Sequence, residues 1–311
     1  MLFRTMAVCE TRASEGSMST LNILMAQMNT LVGDFEGNTQ KVIEAIALAE
    51  SEHDSPIVVC PELTLSGYPP EDLLLRPSIG LRVEQSLATL CAAMKGSAYL
   101  VIGYPLRGGE PCVVNINGVA VGLSICEDIW ESTPTLQATQ AGAQLLLNIN
   151  SSPYHLDKRL ERWETVAARA REAGIPIVYV NQVGGQDELV FDGGSFAVAA
   201  DGTVAAAAPG FEEGAYWLQV DMAAQPASIT GPAPSPPPQE LSATWQALVL
   251  GVRDYVNKNR FRGVVLGLSG GVDSALTLAV AVEALGPERV EAVMMPFRYT
   301  SQMSIEDAAE Q

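Results

Sequence analysis

The hexapeptide Ser269-Gly270-Gly271-Val272-Asp273-Ser274 stands between an apolar run, GVVLGL, and a helical pattern beginning near Val272. Glycines let a backbone approach an anion closely, consecutive N–H groups and a helix N-terminus point at it, and Ser269 and Ser274 add hydroxyl donors. Such a loop suits a pyrophosphate. No lysine follows the glycines, so it is not the loop used for γ-phosphate transfer. Asp273 offers a carboxylate to Mg²⁺. The plainer reading is a glycine turn with a serine N-cap; the whole hexapeptide between strand and helix favours the anion site.

A second centre is Cys126 in GLSICEDIW, at the end of an apolar strand and just before an expected helical turn. That position presents a thiol at a sheet edge and sets backbone N–H groups near a developing oxyanion. A thiol also needs a base. His155 is one candidate, and Glu62, directly after the apolar run PIVVC, is the other. A lone cysteine is more often a small buried hydrophobe, the reading that suits Cys60.

The elements that position these residues follow from periodicity. Apolar runs near Leu21, Pro56, Ala98, Ala143, Ile175, Gly194 and Thr203 alternate with helical stretches at 38–52, 83–95 and 157–173, which predicts an α/β fold. Asn117-Gly118 between VVNI and VAVGLSIC predicts a tight hairpin. In the helix 157–173, Leu156, Leu160, Trp163, Ala167 and Ala170 form the expected core stripe, with Arg159, Arg162 and Arg169 facing elsewhere. Residues 222–240 carry Pro232, Pro234, Pro236, Pro237 and Pro238 and read as a stiff interdomain linker without ladders. A domain thus spans 18–221, and 241–311 gives only the β-α-β start of a second, which reads as truncated. Residues 1–17 lack periodicity, so they read as a non-native extension and Met18 as the native start.

The 311 residues are 48% apolar and 17% charged, enough for about two packed domains. Asp and Glu number 36 against 18 Lys and Arg, a net charge of −18, and lysine occurs only at 41, 95, 158 and 258. Nucleic acid and anionic membranes are therefore excluded as general partners. Five cysteines without Cys-x-x-Cys spacing and two histidines, His53 and His155, indicate neither a disulfide framework nor a zinc cluster. No apolar run reaches the ~18 residues of a membrane span, so a soluble, cytoplasmic protein is expected.

PEL-x-LSGYPPEDL at 61–73, GLSICEDIW at 122–130, NINSSPYH at 148–155 and VGGQDELVFDGGSF at 183–196 together resemble the nitrilase-like glutaminase domain of glutamine-dependent NAD⁺ synthetases. LGLSGGVDSALT at 266–277 resembles that family's ATP-pyrophosphatase loop. The loop also occurs in GMP synthetases, but these use a different glutaminase domain. The resemblance implies an α-β-β-α sandwich followed by a partial adenine-nucleotide α-hydrolase-like domain with a doubly wound parallel sheet. It implies Cys126 as nucleophile and Glu62 as base, with Ser152 and Lys158 holding the glutamine α-substituents. ATP would lie on Gly267, Leu268, Ser269, Gly270, Gly271, Val272, Asp273 and Ser274, with Mg²⁺ on Asp273. Ammonia would pass through a channel to amidate deamido-NAD⁺ through an adenylate, releasing AMP and PPi, within a homo-oligomer.

Two departures accompany the resemblance. Tyr104-Pro105-Leu106 runs through RGGE to Pro111-Cys112, where the family has a longer stretch with a catalytic lysine. Without that lysine glutaminase activity should fall ~10²–10³-fold or more, and the strands missing near 107–110 should leave a partly unpaired sheet edge. The sequence also ends soon after MMPFRYTSQMS, before residues that hold the nicotinate end, so an impaired synthetase is expected. A stand-alone carbon–nitrogen hydrolase and a non-catalytic binding subunit are the alternatives.

Overall fold

A computed structural model describes residues 3–10, 20–76, 78–107, 112–236 and 239–311. Strands β1 (Phe3–Glu10) and β2 (Thr20–Gln27) precede helix α1 (Phe35–Glu52), strand β3 (Ile57–Val59), helix α2 (Ser78–Ala93) and strand β4 (Tyr99–Arg107). Strands β5 (Cys112–Ile116) and β6 (Val119–Ile125) follow, then helix α3 (Ser132–Gln140), strand β7 (Leu145–Asn150), helix α4 (Lys158–Ala173) and strand β8 (Ile177–Asn181). After these come β9 (Val183–Gln186), β10 (Leu189–Asp192), β11 (Phe196–Val198), β12 (Val204–Ala207), β13 (Gly214–Asp221) and β14 (Ser228–Thr230). Helix α5 (Glu240–Lys258), strand β15 (Val264–Gly267), helix α6 (Val272–Leu285), strand β16 (Val290–Val293) and helix α7 (Gln302–Glu310) complete the described elements.

Two compact units result: residues 1–184 with 191–237, and residues 185–190 with 238–311. In the first, one sheet runs β1-β4-β3-β2-β13-β14 and the other β12-β11-β8-β7-β6-β5. Strands β2, β3 and β4 pair in parallel, as do β6, β7 and β8. The alternation of each strand sends Leu21, Ile23, Met25, Val59 and Val101 from one sheet against Val121, Leu123, Leu147, Ile149 and Val178 from the other. Helices α1 and α2 cover the outer face of the first sheet through Val42, Ile46, Val83 and Leu90. Val166, Ala167 and Ala170 of α4 cover the second. This is the expected α-β-β-α sandwich. In the second unit β15 and β16 pair in parallel, joined through α6.

The hairpin forms as expected: Asn117 and Gly118 have φ of 51° and 85°, the two positive values a twisted two-residue turn needs.

Three expectations differ. Residues 3–10, expected to form no element, pair antiparallel with β4 from Phe3 opposite Arg107 to Glu10 opposite Tyr99. The edge of β4, the strand leading into the shortened segment, thus has a partner instead of open N–H and C=O groups; the segment itself at 108–111 lies outside the described residues. Within 222–240, expected to hold no ladder, Ser228–Thr230 pair with Gln219–Asp221, because these three residues keep their N–H groups and the prolines lie to either side. Lastly, α4 is rotated from the expected stripe. Its chain enters through left-handed Asp157, φ 62°, so Leu156 falls outside the helix. Leu160 is 44% exposed and Arg162 is buried together with Val166, Ala167 and Ala170.

That rotation predicts a clear contrast in urea unfolding. Leu160→Ala should change stability by less than about 0.5 kcal/mol, whereas Val166→Ala, which truncates a fully buried side chain, should cost roughly 2 kcal/mol.

Candidate functional site

The parallel strands β3 and β6 deliver the two candidate reactive groups at their carboxyl ends. Cys126 follows β6 directly and has φ of 48°, a left-handed conformation that costs a non-glycine residue on the order of 1–3 kcal/mol. The turn is held by its neighbours: the Ile125 N–H donates to Asp128 Oδ2 at 3.0 Å. Glu62 lies beyond β3, where β4 comes so close that a Cβ on Gly103 would sit 2.8 Å from Leu63 N and 3.2 Å from Glu62 Cα.

Cys126 is half-buried and hydrogen-bonded to the Glu62 side chain. Burial pushes its thiol far above the ordinary value, the Glu62 and Glu127 carboxylates push it further, and a bond to the Ser151 backbone opposes them. The thiol is therefore neutral at neutral pH and can become a nucleophile only as its proton passes to a base. Glu62 is the group in place to take it. His155 is exposed, bonded through Nδ1 to Leu156 O at 2.7 Å with Nε2 3.7 Å from Glu161. Of the two candidate bases, the geometry brings Glu62 to the thiol.

Glu62 is in turn oriented from β7. The Ser151 N–H donates to Glu62 Oε2 at 3.2 Å, and Ser151 Oγ donates to Glu62 O at 3.0 Å and to Gln182 Oε1 at 3.2 Å. Tyr68 also faces this group: burial, then Glu62, Cys126 and Glu127, push its phenol up to about 12, so it remains a neutral O–H. Tyr68 and Ser151 were not singled out from sequence, although both lie inside the quoted motifs.

Ser152 and Lys158 have partners of their own. The Ser152 N–H donates to Asn181 Oδ1 at 2.9 Å, and its Oγ accepts from Arg162 Nε at 3.2 Å. Lys158 Nζ lies 4.2 Å from the centre of the Trp130 ring and 3.2 Å from Glu161 Oε2. Of the other lysines, Lys41 bonds to Asn29 O and Glu213, Lys95 is exposed, and Lys258 lies in the second unit beside Asp254. Burial opposes the charge of the Arg162 guanidinium, and Asp192, Tyr179 and Cys126 outweigh it, so that arginine stays charged.

In the second unit the loop between β15 and α6 is built as the sequence suggests. Gly270 has φ of 78°, and Ser274 Oγ donates to Gly271 O at 2.9 Å and lies 3.1 Å from Ser269 Oγ. Val272 and Asp273 open α6 and are exposed, while Leu268 is buried beneath. Beside the loop is a cleft of about 290 Å³ lined by Gly267, Leu268, Ser269, Met294, Met295, Pro296 and Thr300. Among the described residues no cluster of three His, Cys, Asp or Glu side chains could enclose a metal ion. Asp273 would be a single protein ligand. No helix among them is long and apolar enough to cross a membrane.

Residues 96–226 match the carbon–nitrogen hydrolase family and residues 244–311 match NAD synthase. The glutamine-dependent NAD(+) synthetase of Xanthomonas campestris is 43% identical over 94% of this chain and 60% of its own length. Nearly the whole chain is thus similar to a glutamine-dependent NAD(+) synthetase. That of Acinetobacter baylyi is 35% identical over 94% of the chain and 61% of the relative. The solved family member from Acinetobacter baumannii, in complex with ADP, superposes with a TM-score of 0.87 at 37% identity, covering 94% of this chain and 62% of that one. The chain therefore spans about three-fifths of the length of these relatives. A Nesterenkonia amidase at 21% identity and a TM-score of 0.57 shares the fold of the first unit, covering 65% of this chain and 90% of its own.

Two outcomes follow from this geometry. Gly103→Ala should displace the Glu62 backbone and destabilise the protein by ~1–3 kcal/mol in chemical denaturation. Iodoacetamide labelling followed by peptide mass spectrometry should show Cys126 lagging behind exposed Cys91 and Cys112 below about pH 9, since a raised thiol pKa withholds thiolate until the pH rises.

Proposed function

We propose that this chain hydrolyses glutamine at Cys126 and belongs to a reaction in which the released ammonia amidates deamido-NAD⁺ at the expense of ATP. The observation that carries this reading is the Cys126–Glu62 pair, held at the carboxyl ends of two parallel strands in a chain that also bears the Ser269–Ser274 loop. The NAD synthase match over 244–311 favours it over a stand-alone carbon–nitrogen hydrolase.

In the first half-reaction Sγ attacks the glutamine carboxamide carbon while its proton passes to Glu62. Collapse of the tetrahedral species returns that proton to the leaving nitrogen, giving ammonia and a thioester. Glu62 then takes a proton from water, which attacks the thioester; glutamate leaves and Sγ recovers its proton. Ser152 and Lys158 would hold the α-substituents of glutamine, Lys158 through its ammonium opposite the α-carboxylate. The family's lysine has no counterpart among the four present, which removes a charge at the tetrahedral species worth ~10²–10³ in rate.

In the second half-reaction the N–H groups of 267–274 and the α6 N-terminus would cradle the ATP phosphates. When bound, Mg²⁺ would supply charge neutralisation there, with Asp273 its one ligand from this chain. The cleft along Met294 and Met295 would give the nucleotide an apolar wall. A carboxylate of deamido-NAD⁺ would displace PPi from ATP, and ammonia would then displace AMP. The protein would act away from membranes, as a homo-oligomer, with glutamine, ATP and deamido-NAD⁺ as small-molecule partners.

Glutamate release from glutamine by the purified chain provides the test. Slow hydrolysis is expected, lost in Cys126→Ala and reduced at least ~10²-fold in Glu62→Gln. Hydrolysis that survives Cys126→Ala, or none above the rate without protein, contradicts the reading.

A further inference from the structure

Arg162 is among the largest fully buried side chains of the described residues. Periodicity places it off the expected core stripe of α4, and a buried guanidinium persists only where its donors and charge are matched. Here they are. Nη1 donates to Asp192 Oδ1 at 2.8 Å, with the two side chains 1% and 4% exposed. Nη2 donates to Ser152 O at 2.9 Å and to Pro153 O at 3.1 Å, and Nε donates to Ser152 Oγ at 3.2 Å.

The fork therefore grips one short piece of chain, the turn after β7. The residue just before the gripped carbonyls is Ser151, whose N–H and Oγ orient Glu62 and whose backbone also bonds Cys126. Asp192 is fixed from the end of β10, and neighbouring Gly193 O accepts from Asn181 Nδ2 at 3.0 Å, so the grip is anchored on a second strand. A lysine in the same place could reach one carbonyl, but not both carbonyls and the carboxylate, because it lacks the planar fork.

We propose that Arg162, backed by Asp192, is a positioning residue of the thiol site: by fixing the Ser151–Pro153 turn it keeps the Glu62 carboxylate against Cys126. Its hydrogen bonds go to Ser152, Pro153 and Asp192, none of them to the thiol. The inference rests on Cys126 and Glu62 acting together, and it adds that this contact depends on a buried ion pair on the other side of the turn.

The test is the pH profile of Cys126 alkylation, read by peptide mass spectrometry on the full chain, with fully buried Cys60 as an internal reporter of folding. Arg162→Lys keeps the charge and loses the fork. Release of Glu62 removes the carboxylate that holds the thiol up, so the Cys126 profile should move to lower pH by about one unit while Cys60 stays protected. Faster alkylation should accompany slower glutamine hydrolysis, with kcat falling more than KM rises. An unmoved profile with Cys60 protected overturns the proposal. If Cys60 becomes reactive in Arg162→Lys, Asp192→Glu decides, since it keeps the charge but displaces the carboxylate that anchors the fork: a downward shift supports the proposal and none overturns it. Wild-type Cys126 titrating as an ordinary thiol would instead contradict the Cys126–Glu62 pairing itself.

Discussion

The hydrogen bond between Cys126 and Glu62 is the constraint around which the first unit is organised. It joins a half-buried thiol that is a poor acid to a carboxylate that can accept its proton. Keeping the two together requires strands from different sheets to end at the same place. The sandwich supplies this, because β2–β4 and β6–β8 run as two parallel sets whose apolar faces interlock between them.

Polar groups at this end of the sandwich are ordered as a network. Gln27 Oε1 of the first sheet accepts from Ser195 N and Oγ at 2.9 Å, Ser195 Oγ accepts from Asn181 N, and Asn148 Nδ2 donates to Ser124 Oγ. Gln182 Oε1 accepts from both Ser151 and Thr30. Buried polar groups specify one arrangement only when their bonds are satisfied together, and here that arrangement is the one that orients Glu62. The raised thiol is a consequence. An electropositive pocket would have given a standing thiolate, whereas this site holds a neutral thiol until a base removes its proton.

Much of this was legible in the sequence, for physical reasons. Strands with period two, helices with period 3.6 and the Asn117-Gly118 turn announce themselves locally, and Cys126 and Glu62 sit directly after apolar strands. The Ser269–Ser274 loop is equally local. What could not be read depends on distant partners. Strand β1 has no pattern of its own and is defined by its pairing with β4. Strand β14 lies in a proline-rich tract, and its three residues form a ladder only because β13 is beside them. Arg162 falls off the expected core stripe because periodicity counts a charge as polar, and the carboxylate that permits its burial is 30 residues away. Tyr68 and Ser151 lay inside recognised motifs, but their orientation toward Glu62 is a tertiary fact.

The central claim is that the Cys126 thiol sits where a glutamine carboxamide is attacked. A diazoketone analogue of glutamine, which alkylates a thiol when the glutamine moiety is seated beside it, tests this most directly on the intact chain. One adduct is expected, on the Cys126 peptide, slowed by excess glutamine and by Lys158→Ala. Labelling spread over Cys91 and Cys112, or an adduct on Cys126 that glutamine does not slow, would contradict it.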